Sequence, residues 1–222
     1  MAWLLRPGSL RSVSLAAVLI APAAGHFGTG TMVLAVDGAN SQVLIQVGKT
    51  GVFGFAGHAH EVAATAVRGR VAIDPADLSQ ASVSLEFATA ALRVSGRGEP
   101  PADVPIVQQV MLGERVLDVT RFPTVVFASR RVSVASRTTD SAEVVIEGDI
   151  TVRGTVRPMT IRASVALDAA GRVTARGSFV LKQTDFGMVP VSAAGGTVRV
   201  KDELDIQFVI RTRPSDDTRL TS

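Results

Sequence analysis

VLDVTRFPTVVF, residues 116–127, joins two halves of a chain that are both built from short alternating runs. Its first residues read as the end of a helix, Phe122-Pro123 as a turn, and Thr124 as the opening of a strand. A residue before proline is pushed out of the α region, so extended chain must take over here. On the N-terminal side, residues 104–117 change to helical spacing, with Ile106, Val110 and Leu117 recurring and Leu112 fitting weakly. Asp103 stands where an N-cap belongs, just ahead of Pro105. Gly113 weakens the helix and is placed to end it early. One amphipathic helix lying against a β structure is expected.

Outside this junction the period is two. Residues 32–36 and the trio Val43, Ile45 and Val47 alternate with polar neighbours, and Asp37-Gly38-Ala39-Asn40 reads as the turn between them. Residues 70–73 read as another strand, ended by Asp74-Pro75. Val83, Leu85 and Phe87 then alternate with Ser82, Ser84 and Glu86. After the junction, strands are expected over 124–134, 142–153, 159–167, 172–181 and 197–211, with a tight turn at Asp168-Ala169-Ala170-Gly171. Pro214 stops the last of them. Residues 95–103, SGRGEPPAD, are turn-forming. Strands of this kind with one wet and one dry face, plus a single helix, predict an all-β antiparallel barrel of about eight strands.

Composition agrees. Of 222 residues 46% are hydrophobic and 19% charged, which supports a sizeable core and excludes a disordered chain. Valine dominates beside alanine, and its branched Cβ suits a pleated surface. Residues 1–24 carry Arg6 and Arg11, then an apolar run over 13–20, then Ala21-Pro22-Ala23-Ala24. That is the pattern of a secretory signal peptide cleaved after Ala23 or Ala24, with an apolar run too short to span a bilayer. Without Arg6 and Arg11 the chain has 21 basic residues against 20 acidic ones. Near-neutral charge, no Tyr and no Trp beyond Trp3 argue against nucleic-acid binding. The absence of cysteine removes disulfides, thiol nucleophiles, thiolate metal sites and a lipoprotein anchor. The barrel domain is placed at 31–213, and 214–222 as a polar disordered tail.

Few residues offer chemistry. Gly-x-Ser-x-Gly, Asp-rich calcium loops and phosphate-binding glycine loops are all missing from the sequence. In Gly57-His58-Ala59-His60-Glu61, His58 and His60 share a face if the segment is a strand, while Glu61 points the other way. Two imidazoles without a third ligand fall short of the usual metal count, so no metal and no cofactor is assigned. The pair suits the polar head group of a ligand at a barrel mouth. Arg68 and Arg70 follow, with an exposed strand face as their ordinary reading. Phenylalanines in or beside the strands, Phe53, Phe55, Phe87, Phe127, Phe179, Phe186 and Phe208, read singly as core. Collectively, an apolar interior lined by small residues such as Val43, Ala163, Val165, Ala175 and Gly177 leaves room for a guest. About ten buried methylene-sized groups at roughly 0.8 kcal/mol each give on the order of 8 kcal/mol, near micromolar affinity before ordering costs.

Several segments, in order, resemble the YceI-like family. DGANSQVLIQV (37–47) is similar to the family's D-x-x-x-S-x-V-x-F-x-V, and VRGRV (67–71) follows. Residues 116–127 are similar to F-D-x-x-x-(F/Y)-P-x-(I/V)-x-F. EGDITVRGTVRPMTI (147–161) is similar to G-x-L-T-I-x-G-x-T-x-P-V-x-L, and TDFGM (184–188) and the strand over 198–210 complete the set. The resemblance implies an extended lipocalin-like barrel with a helix between its halves, usually exported, that binds a polyprenyl or similar chain inside. Carried over, the inward apolar positions are Val43, Ile45, Phe87, Val125, Phe127, Phe179 and Phe186, to which Phe53 and Phe55 are added as lumen candidates. The sequence departs from the family where Gln108, Gln109, Val110 and Met111 replace charged residues, where Leu117-Asp118 replaces Phe-Asp, and over 53–61. Head-group preference is therefore left open.

The expectation is a periplasmic or secreted, non-enzymatic protein holding a polyisoprenoid, isoprenoid-quinone or fatty chain, with no stable membrane anchor once the signal is removed. Two alternatives stand beside it. One is a metal- or small-ligand-binding protein using His58 and His60, with catalysis left open. The other is a structural or stress-related module whose barrel is filled by its own side chains.

Overall fold

The computed structural model describes residues 30–50, 60–97, 100–193 and 198–215. The expected signal peptide, Phe53, Phe55, His58 and residues 216–222 lie outside that set. In chain order the strands are β1 (Met32–Val36), β2 (Gln42–Thr50), β3 (His60–Ala64), β4 (Val67–Ile73), β5 (Ser82–Ala88) and β6 (Leu92–Val94). The helix α1 (Val104–Leu112) follows. Then come β7 (Thr124–Arg137), β8 (Ser141–Val152), β9 (Thr155–Leu167), β10 (Val173–Lys182), the short β11 (Ser192–Ala193) and β12 (Val198–Pro214).

Antiparallel neighbours run β1-β4-β5-β7-β8-β9-β10-β12, and β12 pairs back onto β1 to close an eight-stranded barrel. Of the remaining strands, β2, β3 and β6 extend three of these staves, and β11 pairs with the start of β12. β1 and β2 are both antiparallel to β12, with Val36 opposite Thr212 and Gln42 opposite Val209. They are two lengths of one stave rather than two arms of a hairpin, and residues 37–40 form the expected turn between them. β3 with β4, and β5 with β6, continue one another in the same way.

The kink at 37–41 is held by bonds that replace the interrupted ladder. Asp37 N–H donates to the Arg211 carbonyl at 2.8 Å, and Arg211 N–H donates to the Ser41 hydroxyl at 2.9 Å. The Asn40 side-chain amide donates to the Asp37 carboxylate at 2.7 Å. That bond is the main reason the Asp37 carboxyl sits below its ordinary range.

Alternation sets the two faces. Along β5, Val83, Leu85 and Phe87 turn inward while Ser82, Ser84 and Glu86 are exposed, as the sequence pattern requires. At mid-height, bulky inward side chains lie over glycines of the adjoining stave. A Cβ on Gly177 would stand 2.4 Å from the Arg162 carbonyl oxygen and 2.7 Å from the Phe208 ring. One on Gly148 would meet the Ala128 carbonyl at 2.4 Å and the Phe127 ring at 2.8 Å. These glycines let the wall bend sharply while an aromatic ring covers the bare backbone.

Helix α1 is shorter than its sequence pattern. Gly113 ends it, and residues 114–117 continue as turns toward Asp118, whose φ of 47° is left-handed. Asp103 is itself helical and makes no side-chain capping bond, so the expected N-cap role is not used.

Gly177→Val should lower the denaturation midpoint by the equivalent of roughly 1–3 kcal/mol, because a backbone oxygen and a ring both block the new side chain. Ser178→Val on the outer face should change it by less than about 0.5 kcal/mol. Equal shifts for the two variants would contradict the packing described.

Candidate functional site

Inside the barrel lies one elongated cavity of about 710 Å³. It runs from Val71, Ile73, Val132 and Val173 near one end, called the base here, to β2, β3, α1 and residues 188–191 at the other, the upper end. Its walls are almost wholly aliphatic and aromatic. Pockets of roughly 300–1,000 Å³ are the range that accommodates small-molecule ligands. An interior filled by its own side chains is therefore not what these strands build.

The hollow leaves a mark on individual residues. Ile45, Leu85, Phe87, Phe179, Leu204 and Phe208 face inward yet are only half-buried, because each borders space rather than another side chain. The rings of Phe179 and Phe208 lie 6.3 Å apart, tilted by 53°, and stiffen one stretch of wall.

Of the residues singled out from sequence, Val43, Ile45, Phe87, Val125, Phe127 and Phe179 all line this cavity. Phe186 does not. It is 2% exposed, tucked beneath the 3₁₀ turn Thr184–Phe186 that follows β10, and it packs in the core beside the cavity. Arg68 and Arg70 alternate with Val67, Gly69 and Val71 and point outward. His60 lines the upper end, but Glu61 beside it faces away. Its carboxylate accepts from Gln46 Nε2 at 2.8 Å and lies 3.6 Å from Arg97. The Gln46 bond chiefly, with Ser95 and Arg97, lowers the Glu61 pKa. Among the described residues no group of three or more His, Asp and Glu is placed to hold a metal ion. Sequence reasoning passed over Lys49 and Gln183, which also reach the cavity at its upper end. For Lys49 the signal was present, since it continues the inward series Val43, Ile45, Val47.

The upper end is where the wall divides. β5 passes through the 3₁₀ turn Thr89–Ala91 into β6, which pairs with β3 and, among the described residues, not with β7. Thr89, 2% exposed, bonds across the split: its N–H reaches the Pro123 carbonyl at 2.9 Å and its hydroxyl the Phe122 carbonyl at 2.8 Å. The Phe122 ring is flanked by Arg121 and Arg153 at 5.2 and 5.7 Å. Helix α1 covers the gap. Gln108 substitutes for a missing strand, its amide accepting from Val94 N–H and donating to the Leu92 carbonyl, both at 2.8 Å. Arg153 ties down the following loop through the carbonyls of Glu114 (2.8 Å) and Val116 (2.6 Å). No residue of α1 is fully buried, and Ile106 and Val110 line the cavity while being 62% and 41% exposed. The helix is a cover resting on the cavity.

A closed antiparallel barrel with an apolar lumen, roofed by one helix between its halves, is the lipocalin-like class of binding fold. The YceI-like domain model matches residues 34–212, and the chain belongs to that family. Among solved structures, the BcnA protein of Burkholderia cenocepacia is 20% identical over 80% of this chain and 99% of its own, with a TM-score of 0.63. A polyisoprenoid binding domain from Saccharophagus degradans, implicated in plant cell wall breakdown, is 10% identical over 82% and 98%, with a TM-score of 0.59. The YCEI protein of Campylobacter jejuni is 12% identical over 69% and 85%, with a TM-score of 0.52. Identities this low establish a shared fold. No curated protein matches the chain significantly.

Gln108→Ala should free the edge of β6. Amide exchange at Val94 and through α1 should accelerate by roughly tenfold or more, the weight of one or two lost hydrogen bonds. Exchange in β8 and β9 should stay as it was. Unaltered exchange at Val94 would show that the helix is held by other means.

Proposed function

We propose that this protein is an exported carrier that holds a long-chain lipid (a polyisoprenoid, isoprenoid-quinone or fatty chain) inside the barrel. The observation that carries the reading is the continuous apolar cavity of about 710 Å³. Such a wall recognises hydrocarbon by area and shape and needs no reacting group. The family supports the same reading, as does the polyisoprenoid binding named for the Saccharophagus degradans domain. Residues 1–24, with two arginines, a short apolar run and a small-residue end, support export to the periplasm or beyond. No helix among the described residues is long and apolar enough to cross a membrane. The protein acts by binding alone, without a catalytic step, a cofactor or a nucleic-acid partner.

Native mass spectrometry of the protein purified from its own host tests both parts. The spectrum should show a chain shortened by about two dozen residues, as a cleaved signal peptide of ordinary length requires. It should also show a bound mass, released on denaturation, that dissolves in organic solvent. A chain of full length would end the case for export by this signal, and an empty barrel at every preparation would end the case for a resident lipid. Substitution inside the lumen offers a second check. Ala175→Trp projects an indole into the cavity and should weaken binding of a chain such as geranylgeraniol by about tenfold or more. Val180→Trp, on the exposed outer face of the same strand, should leave it unaltered.

A further inference from the structure

Polar groups on the cavity wall are unevenly distributed. At the base the lining offers Thr212, whose hydroxyl is fully engaged, accepting from Val173 N–H at 2.8 Å and donating to the Val173 carbonyl at 3.3 Å. At the upper end stand Lys49, His60, Asp103 and Gln183. The Gln183 amide is committed to the Lys201 carbonyl at 2.7 Å, and Asp103 is an exposed residue on the helix side.

Lys49 differs from these. It is the last inward residue of β2 whose side chain is described, half-buried, directly above Val47 in the apolar row. Among the described residues it has no ion pair and no side-chain hydrogen bond. Its methylene stem extends the aliphatic wall and its ammonium crowns it. Asp103 lines the same end but is exposed and forms no ion pair with Lys49. A cation set against apolar surface without a bonded counter-charge is costly, and an anion brought to the same spot relieves that cost. His60 faces Val47 in the register, so it stands on the diagonal from Lys49, roughly 7–8 Å away, within reach of the same head group.

We propose that Lys49 is the head-group subsite of the barrel, and that the preferred cargo is an amphiphile with an anionic oxygen head, a phosphate or carboxylate, lying tail-first toward the base. This rests on the lipid-binding reading above and narrows it, because a neutral quinone or alcohol would leave the ammonium unmatched.

The test compares two probes with one tail, geranylgeraniol and geranylgeranyl monophosphate, bound to delipidated full-length mature protein and followed by calorimetry. The wild-type protein should bind the monophosphate roughly ten- to hundredfold more tightly, the range of one charge-assisted bond. Lys49→Met should bring the ratio of the two affinities close to one, and Lys49→Arg should restore it. Lys201→Met removes a cation that lies over Gly48 on the outer face, and should keep the wild-type ratio. A ratio near one in the wild-type protein overturns the subsite, as does a ratio that Lys49→Met leaves unchanged or that Lys201→Met collapses equally. If neither probe binds, the lipid-carrier reading itself fails, and the subsite with it.

Discussion

Everything in this molecule depends on the closure of the sheet by β12. That strand pairs with β10 along one edge, and along the other with both β2 and β1. Once closed, the wall satisfies its backbone donors and acceptors within itself, leaving no edge along the staves that make the ring. A globular core holds its elements together by filling the space between them. Here the ladder holds them, and the interior is free to stay hollow. Glycines at mid-height, covered by the rings of Phe127 and Phe208, supply the curvature that closure demands. A guest in that space binds the folded barrel and not the unfolded chain, so it stabilises the fold in proportion to its affinity.

The departure from simple closure is equally informative. Where β6 leaves β7, a continuous cylinder becomes a cylinder with a slot, and the chain spends residues 95–123 covering it. Thr89 and the Phe122-Pro123 carbonyls fasten the lower corner, Arg153 the far side, and Gln108 the helix itself. The polar fastenings are few and the helix buries no residue fully, while its Val104, Val107, Met111 and Leu112 pack partly buried against the core. The motif around Phe122-Pro123 is in this sense the hem of the slot, which explains why a helix, a turn and a strand meet there.

Much of this was legible in the sequence, because period-two alternation is imposed by the pleat itself. Val83, Leu85 and Phe87 against Ser82, Ser84 and Glu86 could form little else. What the alternation leaves unsaid is set by contacts between residues far apart in the chain. Asp37-Gly38-Ala39-Asn40 is a turn, as its composition requires, yet only its bonds to Arg211, some 170 residues later, make it a kink within one stave. The helix ends at Gly113, where its glycine marks an early end. Alternation separates inside from outside and cannot separate lumen from core. Phe179 and Phe186 look alike in sequence, yet one borders the cavity and the other is sealed beside it. Lys49 breaks the apolar row at an inward position, a departure with meaning only once the row is known to face an enclosed space.

The central claim is that the strands enclose a persistent apolar void. Xenon under pressure enters such voids and marks them in electron density. A xenon-derivatised crystal of the delipidated protein should show a file of sites along the lumen, from beside Val173 at the base to beside Phe87 below the slot. Side chains collapsed across that path, with no xenon bound within the barrel, would contradict the account.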